Sequence, residues 1–438
     1  VTDTSTTLDP FPRLHIRPPQ GWVNDPNGIG HWDGRWHVFY QYNPDAPVHA
    51  NIHWGHSSSA DLLTWRDEPV ALAPRSDSLD AAGVWSGVAT MDDGEPVLVY
   101  TAVPDVAANA GVALARLDAD GTWAPGTELV APAPGGDLRE IRDPFVFTAG
   151  GARYALMGGG RADGTPVVLV YAADDLDRWD LLGNLLDGTD GVAADVAPGK
   201  IWECPQLVEL PDGEGRVRWV LILSLWDDAH DHHLRGVAAL VGDLDLTGPH
   251  PRFRPDGGHL LDEGPDFYAP QALAGPERTL LWGWTWESGT RSPEEVAAAG
   301  WAGALTFPRE LVLDGTTVAS TPARELTGLR RSQLVVAGSE VRVDAPAWEA
   351  SAAGALAVVL SGPEGEREVW RTPAHAAGER SRVLVDGSVL EAFAGGAAHT
   401  VRAYPGAGEQ WLIRAAGGSA GGPAEPELSV WELGRPSP

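Results

Sequence analysis

Short apolar and aromatic runs separated by turn residues dominate this chain, and they constrain its fold more than any other feature. Residues 35–42 (Arg-Trp-His-Val-Phe-Tyr-Gln-Tyr) stand between Asp33-Gly34 and Asn43-Pro44, as expected of an aromatic-rich strand closed off by turns. Similar runs lie at 96–102, 145–147, 165–172, 218–225, 234–241, 279–286 and 301–307, each flanked by Gly, Pro, Asp or Asn. Long helical patterns are nearly absent, and residues 292–299 offer one short candidate. The spacing predicts an all-β body.

At 438 residues the chain is long enough for two domains and a substantial core. An Asp-Leu-x-x-Trp frame occurs twice, as Asp61-Leu62-Leu63-Thr64-Trp65 and Asp175-Leu176-Asp177-Arg178-Trp179. Each copy follows one strand-like run and precedes another, which suggests repeated four-stranded units and hence a propeller with short, protected sheet edges. Composition changes near residue 320: Trp becomes sparse, and Ala and Gly rise. Alternating runs such as Glu340-Val341-Arg342-Val343 and Arg382-Val383-Leu384-Val385 predict strands with one polar face. The expected division is a propeller over 1–320, a linker with a short helical turn over 321–331, and a smaller β-sandwich over 332–438.

Lys+Arg 31 against Asp+Glu 61 gives a formal net charge of -30, a field that repels phosphate backbones and anionic membranes but not a neutral substrate. Nucleic acid is therefore not an expected partner. No window approaches the roughly 20 apolar residues of a membrane span, and residues 1–12 lack the basic-then-apolar pattern of a signal peptide. A soluble chain, cytoplasmic rather than a secreted mature form, is the expectation. Cys204 is the only cysteine, so neither an internal disulfide nor a multi-cysteine zinc site is available. Trp 19 exceeds Tyr 7 and Phe 8 together, an excess that a tryptophan-rich β core and sugar-stacking surfaces would both produce.

Four neighbourhoods could carry chemistry. In Asn24-Asp25-Pro26-Asn27-Gly28, Pro26 fixes φ while Asn27 and Gly28 tolerate left-handed backbone, so a tight turn holding Asp25 rigidly is predicted; ordinary turn chemistry explains the same residues. Arg142-Asp143-Pro144 sets a cation beside an acid, which favours an ionised Asp143 or makes a surface pair before a turn. Glu203 lies among Ile201, Trp202, Cys204 and Leu207, company that suits a general acid if the site is buried; a strand-edge carboxylate pointing outward is the other reading. Tyr268, within Asp266-Phe267-Tyr268-Ala269-Pro270-Gln271, would donate to a catalytic carboxylate or pack in a blade.

Two or three carboxylates without a metal suit glycoside cleavage, in which an ionised acid attacks or stabilises the sugar cation and a protonated one serves the leaving oxygen. The sequence has no Gly-x-Ser-x-Gly elbow and no Gly-x-x-x-x-Gly-Lys loop. His230-Asp231-His232-His233 invites a metal reading, but adjacent residues on a strand alternate faces and cannot all ligate one ion. A solvated loop is expected there, with no metal and no cofactor.

Taken together, these stretches resemble glycoside hydrolase family 32, the β-fructofuranosidases. Its three signatures stand here as Trp22-Val23-Asn24-Asp25-Pro26-Asn27-Gly28, Arg142-Asp143-Pro144 and Glu203-Cys204-Pro205. Phe39-Tyr40-Gln41-Tyr42-Asn43-Pro44, His53-Trp54-Gly55-His56, the 266–271 segment, Gly300 to Leu311, and Val385 to Phe393 extend the likeness over nearly the whole chain. The resemblance implies a five-bladed β-propeller followed by a C-terminal β-sandwich. It implies Asp25 as nucleophile, Glu203 as general acid and base, and Asp143 as a transition-state stabiliser. Asn24, Gln41, Trp54, Ser86, Arg142 and Trp286 would line the fructose subsite, and Tyr268 would tune Glu203. Trp85-Ser86-Gly87-Val88 departs from the Phe-Ser-Gly-Ser common in the family, making the subsite wall bulkier at Trp85.

The expected reaction is a retaining double displacement on sucrose or fructans, with the two carboxyl groups roughly 5 to 5.5 Å apart. A fructosyltransferase, a fructan exo-hydrolase and a non-catalytic fructan-binding protein are the alternatives. The intact acids argue against the last, because stacking and hydrogen bonding to a sugar need no nucleophile.

Overall fold

A computed structural model describes residues 8–229, 232–287, 289–376, 379–415 and 428–436. Among these, five sheets succeed one another in the first part of the chain and two more follow. The innermost strands of the five are Gly21–Trp32, Gly83–Asp92, Leu138–Ala149, Ile201–Pro211 and Phe267–Ala274. They touch in cyclic order, the fifth returning to the first, so the sheets are blades I to V of a closed propeller. Closure is reinforced where Trp301–Ala302 pairs in parallel with Gly21 and Trp22 of blade I. The run expected as one strand over 301–307 breaks at Gly303, whose φ is 70°. A Cβ there would lie 1.9 Å from the Val23 carbonyl oxygen, so only glycine lets the closing segment approach blade I.

The two Asp-Leu-x-x-Trp frames occupy the same place in blades I and III, linking third strand to fourth. Asp61 caps its link by accepting from the Leu63 and Thr64 amides, and Leu62, Leu176 and Trp179 are buried beneath the blades. The helical candidate is a helix over Pro293–Ala299, with Ser292 as N-cap, Glu295 completing a capping box and Gly300 as C-cap. A second short helix, Gly191–Val196, is capped by Asp190; at six residues it is too short to show periodicity in sequence. His230 and Asp231 lie outside the described residues. Among the described residues, no group of three or more His, Cys, Asp or Glu side chains could hold a metal ion, and no helix is long and apolar enough to cross a membrane.

The last propeller strand, Thr317–Pro322, leads into a 3-10 turn at Arg324–Leu329. A six-stranded and a four-stranded sheet then pack face to face as a β-sandwich over a core containing Trp348 and Trp411, whose rings meet edge to face at 5.7 Å. Sandwich and propeller are joined by buried ions. Arg309, fully buried in blade V, donates to Asp262 at 2.7 Å, to Glu391 at 2.6 and 2.8 Å and to Thr400 at 2.7 Å. His15 places one ring nitrogen 2.8 Å from Asp386 and the other 3.1 Å from Glu391.

Candidate active site

The residues singled out from sequence converge through a defect repeated in all five inner strands. The ladder with the second strand breaks register at Asn24-Asp25, Ser86, Asp143-Pro144, Cys204-Pro205 and Ala269-Pro270. Such bulges end strict alternation, so neighbouring side chains turn toward the same end of the axis. Proline is tolerated there because each inner strand is the edge of its ladder at these positions and its missing N–H leaves no partner unsatisfied. The tight turn expected at 24–28 is therefore a bulged stretch inside a 12-residue strand; Gly28 has φ 51°, while Asn27 stays out of the left-handed region. Asp143, Cys204 and Ala269 adopt φ of 60°, 48° and 45°, backbone strain concentrated where the side chains meet.

Asp25 is ringed by donors. Asn24 Nδ2 reaches its Oδ1 at 2.9 Å, while Ser86 Oγ at 2.5 Å and Gln41 Nε2 at 3.2 Å donate to Oδ2. The Cys204 thiol stands 3.6 Å from Asp25 Oδ2 and 3.6 Å from Asp143 Oδ2, joining carboxylates from two different blades. Asp143 Oδ2 also accepts from the Cys204 amide at 3.0 Å. Glu203 receives Arg142 Nε at 3.0 Å and Nη2 at 2.8 Å on one oxygen, and the Tyr268 hydroxyl at 2.7 Å on the other. Asp143 is buried, whereas Asp25 and Glu203 are half-buried and reachable from solvent.

Burial pushes Asp25 above the usual carboxylate range; the Ser86 hydrogen bond opposes this and the Glu203 charge adds to it. Burial likewise pushes Asp143 up to about 7, with Arg142 opposing and Glu203 and Asp25 adding. The neighbouring arginine thus favours the ionised form of Asp143, as adjacency predicts, but burial outweighs it. The guanidinium is spent on Glu203 and on Glu140, and the carboxyl beside it in sequence keeps the desolvation penalty. Burial also lifts the Cys204 thiol, so it faces both acids as a neutral donor.

This constellation has close counterparts. The glycosyl hydrolases family 32 N-terminal domain matches residues 15–322. The chain belongs to glycosyl hydrolase family 32. A sucrose-6-phosphate hydrolase of Klebsiella pneumoniae is 35% identical over 333 residues, covering 73% of this chain and 68% of that protein. A raffinose invertase of Escherichia coli is 32% identical over 336 residues, 73% of this chain and 66% of the relative, so the match spans about two thirds of such relatives. Among solved structures, a family 32 β-fructofuranosidase of Bombyx mori in complex with sucrose superposes with a TM-score of 0.78 at 26% identity, covering 97% of this chain and 94% of that one. The protein is a glycoside hydrolase.

Within this family 32 enzyme the structure brings these residues into two adjoining hydrogen-bonded sets: Asn24, Asp25, Gln41 and Ser86 with Asp143 joined through Cys204, and Arg142 and Tyr268 on Glu203. Trp85 and Trp286 are half-buried and take no part in these hydrogen bonds through their rings. Trp54 does not line the subsite: it is fully buried, and its indole N–H donates to the Trp85 carbonyl at 3.1 Å, supporting the wall from behind. Trp22, Trp284 and His49 were not singled out from the sequence. Trp22 donates to Asn24 at 2.8 Å and stacks edge-on with Trp284 at 5.5 Å. His49 bridges Trp22 at 6.2 Å and Trp85 at 6.3 Å, near enough for its charge to act on Asp25 and Glu203. With Trp286 6.5 Å from Trp284 and His232 5.4 Å from Trp286, six rings form a continuous aromatic arc along the rim. The sequence signal for Trp22 was its place in the first signature; nothing local marked His49.

Proposed function

We propose that this chain is a β-fructofuranosidase that releases terminal β-D-fructofuranosyl units from sucrose and fructans with retention of configuration. The observation that carries the reading is the meeting of Asp25, Asp143 and Glu203, from three blades, around Cys204 and Arg142. Sucrose is the first substrate to test because the Bombyx mori relative was solved with it bound.

In the first step Asp25 attacks the anomeric C2, the C2–O bond to the leaving group breaks, and Glu203 donates its proton to the departing oxygen. The product is a fructosyl ester on Asp25. A water then loses its proton to Glu203 and adds to C2, freeing fructose and restoring the Asp25 carboxylate. Ser86, Gln41 and Asn24 aim the Asp25 oxygens, so the nucleophile need not reorganise as charge leaves it. Arg142 and Tyr268 fix both oxygens of Glu203 facing that point. Asp143 holds fructose hydroxyls. Rate follows a bell in pH whose limbs belong to the coupled carboxyls rather than to one residue.

Asp25→Asn is expected to lose at least about a thousandfold in kcat with an unchanged circular dichroism spectrum; activity within about tenfold of the parent would remove Asp25 as nucleophile. Proton NMR of the first-formed fructose is expected to show the β-anomer, and early α-anomer excludes double displacement. Separate incubations with sucrose, inulin and levan, resolved by chromatography, identify the leaving groups accepted and any fructosyl transfer.

A further inference from the structure

The sandwich reaches into the rim of the sugar site. Its strand Ala397–Arg402 ends in an arginine that is 2% exposed and points into the top of blade V. Arg402 Nη1 donates to Thr285 Oγ1 at 3.0 Å and Nη2 donates to Glu287 Oε1 at 2.9 Å. These are the residues immediately before and after Trp286. The Arg402 amide donates to Asp266 Oδ2 at 2.7 Å, and the Asp266 carbonyl accepts from the Trp286 amide at 3.3 Å. The Trp286 indole N–H donates to the Pro265 carbonyl at 2.9 Å. The whole frame around Trp286 is thus tied to one sandwich residue.

Glu287 is held just as firmly. The Tyr404 hydroxyl lies 2.6 and 2.8 Å from its two oxygens, and Arg291 donates at 2.8 and 3.3 Å. Arg291 and Arg402 in turn lie over Trp301, the residue that closes the ring onto blade I, at 4.3 and 5.7 Å from its centroid. Burial opposes ionisation of Glu287, yet the two guanidiniums hold it down to about 2. It remains an anion over the range in which glycosidases work, so the clasp does not open with ordinary changes of pH.

We propose that Arg402 is a positioning residue for substrate binding, clasping Thr285 and Glu287 so that Trp286 presents its ring to the sugar. The claim rests on the fructofuranosidase reading for the sugar and for Trp286 as part of its subsite. A lysine at 402 can reach Glu287 or Thr285 but cannot span both as a planar fork does.

The experiment compares the parent, Arg402→Lys, Thr285→Val and Trp286→Ala, together with each clasp variant in the Trp286→Ala background. In the parent background each clasp variant is expected to raise KM for sucrose about fivefold while kcat stays within about twofold, because contact with Trp286 is lost equally from ground and transition states. In the Trp286→Ala background neither should raise KM further. Protein labelled with 5-fluorotryptophan adds a readout independent of turnover. The Trp286 fluorine resonance, assigned with Trp286→Phe, is expected to shift or broaden in both clasp variants while that of Trp179 in blade III stays in place. KM effects that add in full to Trp286→Ala, or an unmoved Trp286 resonance, would overturn the proposal. If Arg402→Lys does not fold, Thr285→Val carries the same test by removing a single hydroxyl contact. A parent unable to release fructose from sucrose, inulin or levan refutes the fructofuranosidase reading, and the fluorine spectrum still decides the clasp.

Discussion

Two groups of three buried or half-buried carboxylates, one at the propeller–sandwich junction and one in the catalytic cluster, differ in how their charge is met. At the propeller–sandwich junction Asp262, Asp386 and Glu391 face Arg309 and His15 in ion pairs of 2.6 to 3.1 Å. Glu391 stays below the usual carboxylate range although burial opposes it, because Arg309 and His15 outweigh the desolvation. At the catalytic end the ion pairs of Arg142 go to Glu203 and Glu140 rather than to Asp25 or Asp143. Asp25 and Asp143 are correspondingly raised. Burial does not by itself decide ionisation: the ratio of acids to cations does, and the catalytic end is left short of cations.

The largest expected effect is at the junction. Arg309→Ala removes the arginine from Asp262 and leaves Glu391 to His15, and should cost about 3–5 kcal/mol, read as a lowered urea midpoint. A loss below about 1 kcal/mol would mean that the junction tolerates unpaired acids as the catalytic end does.

Next is the reverse experiment. Asp143 has its folded pKa raised to about 7, so the stability from its protonated form is fully present below the unfolded value near 3.8 and is lost as pH rises through 7. Asp143→Asn should therefore be more stabilising at pH 8 than near pH 3.5, while abolishing activity. Equal effects on the unfolding midpoint at both pH values would show that the catalytic cluster is not held against its charge.

The smallest effect sharpens the junction. Burial lowers the pKa of His15, but its hydrogen bonds to Asp386 and Glu391 and their charges prevail and raise it above 6.5. Its contribution is complete below the unfolded value and fades as pH rises through the folded one. His15→Gln should flatten the fall in stability above pH 6.5, measured as thermal midpoints across that range; an unchanged slope would assign the fall to other groups.

How much of this was legible in the sequence depended on the kind of signal. The second strands of blades II and IV and the third strand of blade III are continuous apolar runs packed between neighbours, and Glu95–Val103, Pro166–Ala172 and Val217–Trp226 could be drawn to within a residue or two. Inner strands were harder. The run expected over 145–147 is the tail of Leu138–Ala149, because Arg142-Asp143-Pro144 has the composition of a turn and adopts a bulge. The motif Gly300 to Leu311 and the Asp386–Glu391 segment were visible as family features without a task; folding shows that they close the ring and bind the two units together.

Order of residue types along the chain determined an all-β body, its family, and which three acids to watch, since short runs, turns and signature motifs are properties of neighbours in sequence. Which acid Arg142 serves, why Asp25 and Asp143 are left raised, that Trp54 hides behind Trp85, and that a sandwich arginine clasps Thr285 and Glu287 were decided by tertiary structure alone. Each depends on distances between residues dozens to hundreds of positions apart, and on the desolvation that only packing of the finished fold imposes.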